Sequence, residues 1–558
     1  MKENIEFEIG AHVAKAGHSG PFGGEPGAKT PVPASSALPH GSVLAGAPEK
    51  NAPPLDALDE STPVPTAQHS LAPRNDAAVN KVTSAAGVLE AMDAHLVLDG
   101  YKTVYGVWRG HGNPKLLKLC SLEFNGAIRE AFMQRGLRQN RRQLADVNDE
   151  LRSVAEASGI RTDVWRRVAP RPGGGIVIAA YDNTNTHIHV SPGRVEVLAE
   201  GSDVLFYKPP AAGLITLPAA MGDINLLRKI LNLPAVAFRL YIAWLTYTLA
   251  HAKMEGSNYV HLCFVGGEGT GKSLAAKVTM MLVDPSEVGV ERFPANAKDL
   301  AIGLQNRHLV AFDNLRSITP AMSDALCTAA TGGAVTARKL FSDEDQHVIA
   351  LHGAILLNGI YDFIEQPDLA QRCLPLRLEP LPEGRRKSEE ELRRQLEADM
   401  PVIMRGLFDL IAKIQACLPK AEVTNPQRMI EFVRWLAAME IVDGAPAGVY
   451  QDVYADALND GQLDALQDSS LGSAVLEFAA TLGGAPWSGT PSELLTKLNQ
   501  FKAYGVQRPP RDWPDNEIAL SKRLAPLQTA LMTQGVRVQF KRGKHRRIDI
   551  TNLGDRHG

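Results

Sequence analysis

Ten residues from Val265 to Leu274, VGGEGTGKSL, hold four glycines, a lysine and a serine. Their spacing is G-x-x-x-x-G-K-[ST]. Gly266, Gly271, Lys272 and Ser273 take the fixed places, and Gly267, Glu268, Gly269 and Thr270 lie between them. Glycines let backbone N–H groups turn inward, where they cradle phosphate oxygens. The lysine suits the outer phosphates, the serine hydroxyl a divalent cation, and the helix that begins near Leu274 turns its positive end to the anion. Leu262–Val265 ahead of the loop predicts a strand, and SLAAKVTMMLV behind it predicts a helix, which is the setting this spacing needs. The chemistry read from the loop is binding of a nucleoside triphosphate, ATP, with Mg2+.

Three further polar groups follow apolar runs. RHLVAFDNL carries Asp313, placed to hold the cation through its outer shell. The alternative is an aspartate that merely closes a strand into a turn. Asn314 comes next, where many ATPases of this loop type carry a water-activating glutamate. An amide orients water but takes no proton from it. GAILLNGI ends on Asn358, read as a sensor of the terminal phosphate or of the attacking water. DLAQRCLPLRLEPL supplies Arg372 and Arg377. Arg372 is read as a guanidinium that enters a neighbouring copy's site and offsets phosphate charge, and Arg377 as a surface ion-pairing residue.

These groups need a scaffold, and 558 residues are too many for one core. Residues 1–85 are rich in Pro, Ala, Gly and Ser and predict disorder. Residues 86–220 predict an α+β domain, helical over SLEFNGAIREAFMQRGLRQNRRQLADVNDELRSVAEASG and then alternating as short strands. There His187 and His189 share a strand face and read as two exposed histidines rather than a metal site. Arg135, Arg138, Arg141 and Arg142 read as a solvated helix face. A helical collar (221–255), the phosphate-loop core (256–385), a helical region (386–464) and a small C-terminal domain (465–558) complete the order. The fold class is multidomain α/β.

A net charge of -3 leaves no general polyanion-binding character, so any nucleic-acid contact must be local. Five scattered cysteines without a C-x-x-C pair argue against a zinc ribbon or a disulfide framework and fit a reducing cytoplasm. MKENIEFEIG has no apolar run of a targeting signal. LPAVAFRLYIAWLTYTLA is apolar enough to span a membrane but carries Arg239 near its middle, so it predicts a buried helix and no membrane.

The motifs GGEGTGKS, VAFDN, TARKLFSDEDQHV, AILLNG and DLAQR, in that order, resemble motifs A, B, B′ and C and the arginine finger of superfamily 3 helicases. The likeness is nearest to the primase-helicase ATPases of phages and integrated mobile elements. It is specific over about residues 260–380 and looser on either side. The resemblance implies an AAA+-type core, a ring of six subunits with shared ATP sites, and movement on a DNA strand threaded through the pore. It assigns Lys272 and Ser273 to nucleotide and metal, Asp313 to metal, Asn358 to the sensor role and Arg372 to the finger. Arg338 and Lys339 fall in the segment that carries the pore-hairpin basic residues. The expected hairpin tip, SDED from Ser342, is acidic and departs from that pattern, as does Asn314. No primase site is visible, so primase and other replication proteins enter only as partners.

The C-terminal domain reads as three short helices and a hairpin, an order that resembles a winged helix. From Ile518 to Ile548 it holds Lys522, Arg523, Arg537, Lys541, Arg542, Lys544, Arg546 and Arg547 and no acid. Such a run marks a phosphate footprint, here for duplex DNA, with a protein-docking wing as the alternative. The motifs N-K-x-D of G proteins and L-S-G-G-Q of ABC ATPases are absent. The leading reading is a replicative ring helicase of a mobile element. A nucleotide-switched DNA-binding or loader ATPase without processive unwinding is the alternative, and a defence or signalling ATPase would need an effector that the sequence does not display.

Overall fold

The computed structural model describes residues 84–108, 115–171, 173–199, 204–338, 346–359, 363–364, 366–380, 388–501, 513–541 and 546–554. The expected disordered tail, Lys339, the Ser342 tip, Arg542 and Lys544 lie outside the described residues, except for the tail's last two positions.

The first folded part is a helix, α1 (Ala85–Met92), and a meander of β1 (Ala94–Leu98), β2 (Val104–Trp108) and β3 (Lys115–Lys118), followed by α2 (Leu122–Met133) and α3 (Arg141–Ser158). The expected helical run is therefore two helices. Gly136, at φ +70°, turns the chain, and Asn140 with Gln143 makes a reciprocal cap that starts α3. Phe124, Ile128 and Leu151 anchor this part's own core.

A second antiparallel sheet follows: β4 (Val168–Pro170), β5 (Ile176–Ala179), β6 (His187–Ser191) and β7 (Arg194–Leu198). Its inward residues Ile178, Ile188 and Val190 belong to the same core as α4 (Ala235–Ala250) and the helices that come later. The expected boundary near residue 220 thus does not separate two cores. Helix α4 is the apolar stretch singled out above. From Leu240 to Leu249 every residue is buried, and Arg239 sits at the rim, 3.6 Å from Asp443. Among the described residues no helix is long and apolar enough to cross a membrane.

The central sheet is built from β8 (His261–Val265), α5 (Lys272–Val283), β9 (Glu291–Arg292), α6 (Ala297–Asn306), β10 (Leu309–Leu315), α7 (Pro320–Thr331), the hairpin β11 (Gly333–Arg338) and β12 (Gln346–Leu351), β13 (Ala354–Gly359), α8 (Pro367–Ala370) and β14 (Cys373–Arg377). Five strands pair in parallel in the order β14-β8-β13-β10-β9. Parallel strands are covered on both faces and so read as unbroken apolar runs. Leu262, Phe264, Leu309, Leu356 and Leu374 face the core shared with α4 and α5, while Cys263, Val310, Phe312, Leu357 and Cys373 face α6 and α7.

Three helices follow: α9 (Glu389–Cys417), α10 (Ile430–Asp443) and α11 (Val449–Asp468). The C-terminal part has α12 (Ser470–Thr481), β15 (Trp487–Gly489), α13 (Pro491–Leu498), α14 (Glu517–Thr533), β16 (Val536–Lys541) and β17 (Arg547–Asn552) around a core of its own. Strand β15, which the sequence reading did not contain, pairs with β17 to give the order β15-β17-β16. Three residues, WSG, are too few to show alternation.

Candidate functional site

The loop of glycines joins the C-terminal end of β8 to α5. Gly266 has φ +145°, and a Cβ there would fall 2.7 Å from the carbonyl oxygen of Leu378. Gly269 and Gly271 also have positive φ, at +73° and +88°. Only glycine takes such a series without strain. Gly271 caps α5 with no side-chain hydrogen bond, so the first N–H groups of the helix are left for an anion.

Lys272 folds back on the loop. Its Nζ donates to the carbonyls of Gly266 at 2.8 Å and Gly267 at 2.6 Å. Burial lowers its pKa, opposed by the charges of Asp313 and Glu268. Thr270 Oγ1 donates to the Gly267 carbonyl at 3.0 Å and closes the loop on itself.

Parallel pairing brings the other strand ends alongside. Asp313 Oδ1 accepts from Nδ2 of Asn358 at 2.7 Å and from the backbone N–H of Asn314 at 2.6 Å. Asn358 is fully buried, and its Oδ1 has no protein partner. Asn314 is exposed, in the left-handed region at φ +60°, which asparagine tolerates better than most residues. A cavity of about 330 Å³ is lined by Glu268–Leu274, Asp313, Asn314, Asn358 and Gly359. Most residues named from the loop and the strand ends therefore line one cavity, with Gly266 and Gly267 presenting their carbonyls to Lys272 at its base.

The residues fit ATP and Mg2+. An anion-seeking helix end, a lysine held at the loop, an exposed hydroxyl on Ser273 and the carboxylate of Asp313 make a suitable donor set for a phosphate chain and a hard cation. The orphaned Oδ1 of Asn358 adds an acceptor on the cavity wall.

Arg372 is not part of this cavity. It precedes β14, and its carbonyl accepts from His261 N at the start of β8, the opposite end of that strand from the loop. Five residues of strand put it roughly 15 Å from the glycine loop. Its guanidinium is buried and ion-paired with Asp368 at 2.7 Å. Arg377 ends β14 level with Val265 and shares a separate recess with Asp460. Asp368, which the sequence reading passed over, carried one usable signal: it stands four residues before Arg372, the spacing at which helical side chains meet.

Elsewhere the outcome is mixed. Arg338 ends β11, paired with Gln346 in the two-stranded hairpin. Lys522 and Arg523 are exposed on α14, and Arg537, Lys541, Arg546 and Arg547 are exposed on or beside the β16–β17 hairpin. Asp549, one residue beyond the acid-free run, pairs with Lys541, while Arg547 donates to Ser488. The basic face is thus partly neutralised, which the linear count did not reveal. His187 and His189 are buried rather than exposed, with Phe206 lying over His187 on that face of the sheet. Burial pushes the pKa of His187 down to about 4, and its ring stacks edge-on against Phe206. Among the described residues no group of three His, Cys, Asp or Glu side chains is placed to hold a metal ion.

Residues 224–464 match the family model described as actinomycete integrative conjugative element replication protein, and residues 471–556 match the AICE RepA C-terminal domain. Together the two matches span more than half of the chain, which over those residues belongs to the replication proteins of these mobile elements. No curated protein matches it. Among solved structures, the apo C-terminal region of NrS-1 is 13% identical, with 84% of this chain and 98% of that one covered at a TM-score of 0.34. JCV helicase, crystallised with an acetamide compound, is 16% identical, with 43% and 63% covered at a TM-score of 0.21. TM-scores this low establish no common fold.

Proposed function

We propose that this mobile-element replication protein is an ATP-hydrolysing DNA motor of the superfamily 3 type, working as a ring of six subunits with ATP sites shared between neighbours. The observation that carries the reading is the convergence of Lys272, Ser273, Asp313 and Asn358 on one cavity at the ends of three adjacent parallel strands.

Each residue has a role its geometry supports. The loop N–H groups and Lys272 bind the phosphate chain, Lys272 exchanging its two loop carbonyls for phosphate oxygens. Ser273 and Asp313 would hold Mg2+, which when bound offsets phosphate charge. Asn358 Nδ2 fixes the orientation of Asp313, and its free Oδ1 orients the attacking water. Asn314 cannot accept that water's proton, so Glu268 and Asp313 are the carboxylates the cavity offers. Arg372, at the far end of the strands from the loop, cannot serve its own subunit's nucleotide and acts at a neighbour's. DNA is held as a single strand at the β11–β12 hairpin, which carries Arg338, and as duplex by the winged-helix-like C-terminal domain.

The amide at Asn314 favours a second reading, a nucleotide switch that binds ATP without processive unwinding. Steady-state ATP hydrolysis with and without single-stranded DNA, beside Lys272→Ala, separates the two. DNA-stimulated turnover lost in the variant supports the motor. Tight ATP binding with no turnover under any DNA condition refutes it and leaves the switch.

A further inference from the structure

Four residues ahead of Arg372 stands a carboxylate to which the reading above gives no role. Asp368 lies in the short helix α8, and its Oδ2 is 2.7 Å from Nη1 of Arg372. Its backbone carbonyl accepts from the same nitrogen, also at 2.7 Å. Two bonds to one amino group fix a side chain that would otherwise sample many rotamers. The grip leaves Nε of Arg372 buried without a partner, in a side chain only 8% exposed.

Asp368 serves a second cation. Arg428, from the segment before α10, donates through Nη1 to Asp368 Oδ1 and to Gln371 Oε1 at 3.2 Å. Burial pushes the Asp368 pKa up, but Arg372, Cys327 and Arg428 outweigh it and hold the carboxyl below its usual range. The backbone beneath is steady, because α8 packs against α7, α11 and α14.

An ordinary helix-turn ion pair explains neither the second arginine nor the unpaired Nε. A carboxylate beside a guanidinium intended for phosphate would repel that phosphate. Arg428 on the other carboxylate oxygen removes the repulsion, and the trio keeps one net positive charge. We propose that Asp368 and Arg428 are positioning residues for ATP hydrolysis. Asp368 holds the Arg372 guanidinium by its Nη1, and Arg428 neutralises Asp368, so that the cluster keeps its positive charge for a phosphate on an adjoining copy. This rests on the reading of Arg372 as a residue acting at a neighbour's nucleotide.

The test measures kcat and KM for ATP hydrolysis by the full chain, with sedimentation velocity for assembly. The variants are Asp368→Asn, Asp368→Glu, Arg428→Gln, Arg372→Ala and the double variant Asp368→Asn/Arg372→Ala. Loss of aim is expected to lower kcat by about ten- to a hundredfold in Asp368→Asn, with KM and assembly unchanged. Arg428→Gln falls less, Asp368→Glu regains part of the rate, and the double variant is no slower than Arg372→Ala. A normal kcat in Asp368→Asn beside a slow Arg372→Ala overturns the positioning role alone, as does a double variant whose losses multiply. A normal rate in Arg372→Ala overturns the finger reading, and the positioning role falls with it. If Asp368→Asn does not fold, Arg428→Gln decides: lowered kcat at constant KM supports the role, and an unchanged rate overturns it.

Discussion

Replacing Asn358 by aspartate keeps size and shape but sets a second carboxylate against Asp313, where an amide N–H now donates at 2.7 Å. The site is fully buried at residue 358, so two ionised carboxylates cannot both persist there. Unit charges about 4 Å apart at an effective dielectric constant near 20 repel by about 4 kcal/mol. That corresponds to about three pKa units, at about 1.36 kcal/mol each. Repulsion and burial thus raise the pKa of the variant's new carboxyl above the range of an unfolded aspartate. Because the folded pKa is raised, the variant is least affected below about pH 4, where the new carboxyl is protonated in both states. Its deficit against the wild type grows as pH rises above that point, toward a ceiling of about 4 kcal/mol. Thermal unfolding of both proteins at half-unit steps from pH 4 to 8 reads this directly. A difference that stays constant across the range would refute the close contact of residue 358 with Asp313, whatever activity the protein proves to have.

Two neighbouring glycines should separate sharply. Gly266→Ala drives a Cβ to 2.7 Å from a backbone oxygen, whereas Gly267→Ala meets nothing within 4 Å. Relieving strain of about 1–3 kcal/mol by moving the loop lowers ATP affinity about five- to a hundredfold in the first and little in the second, as read by fluorescent-nucleotide titration. Arg167→Met strips the partner from Asp284, now 2.8 Å away and buried with it. The expected loss is about 3–5 kcal/mol, measured by denaturant unfolding, and a wild-type midpoint would contradict it. For duplex DNA binding followed by fluorescence anisotropy, removing Lys522, Arg523 and Arg546 together should flatten the slope of log affinity against log salt by about 2–3. Lys541→Ala should change it by less than about one, since Asp549 already pairs with that lysine.

The geometry of the glycine loop was legible because its constraint is local. A run of positive-φ glycines between a buried strand and a helix leaves a spacing that few other structures demand. Asp313 and Asn358 were legible for a related reason: parallel strands buried on both faces read as apolar runs, and a polar residue closing such a run stands at the end where the loop also lies. Other features depend on what the chain meets at a distance. His187 and His189 sit in an alternating segment that suits a solvated sheet face as well as a covered one, and their burial depends on residues outside the sheet, Phe206 over His187. The sheet of β4–β7 reads as part of an N-terminal domain, yet its inward face packs into the core built around α4. Asp549 falls just outside a run of basic residues in the sequence but lies among them once β16 and β17 pair.

The same distinction explains why the Arg372 cluster was only half visible. Asp368 is one helical turn from Arg372, so its partnership is written in the spacing. Arg428 lies 60 residues further along the chain from Asp368 and reaches it only because the helical region folds back against α8. Spacing in the sequence can therefore show that a cation has an acid beside it. Whether that acid is itself neutralised, and so whether the cation can still receive a phosphate, depends on a third residue whose position only the tertiary fold determines. At this site that third residue turns an ordinary ion pair into a group with charge to spare.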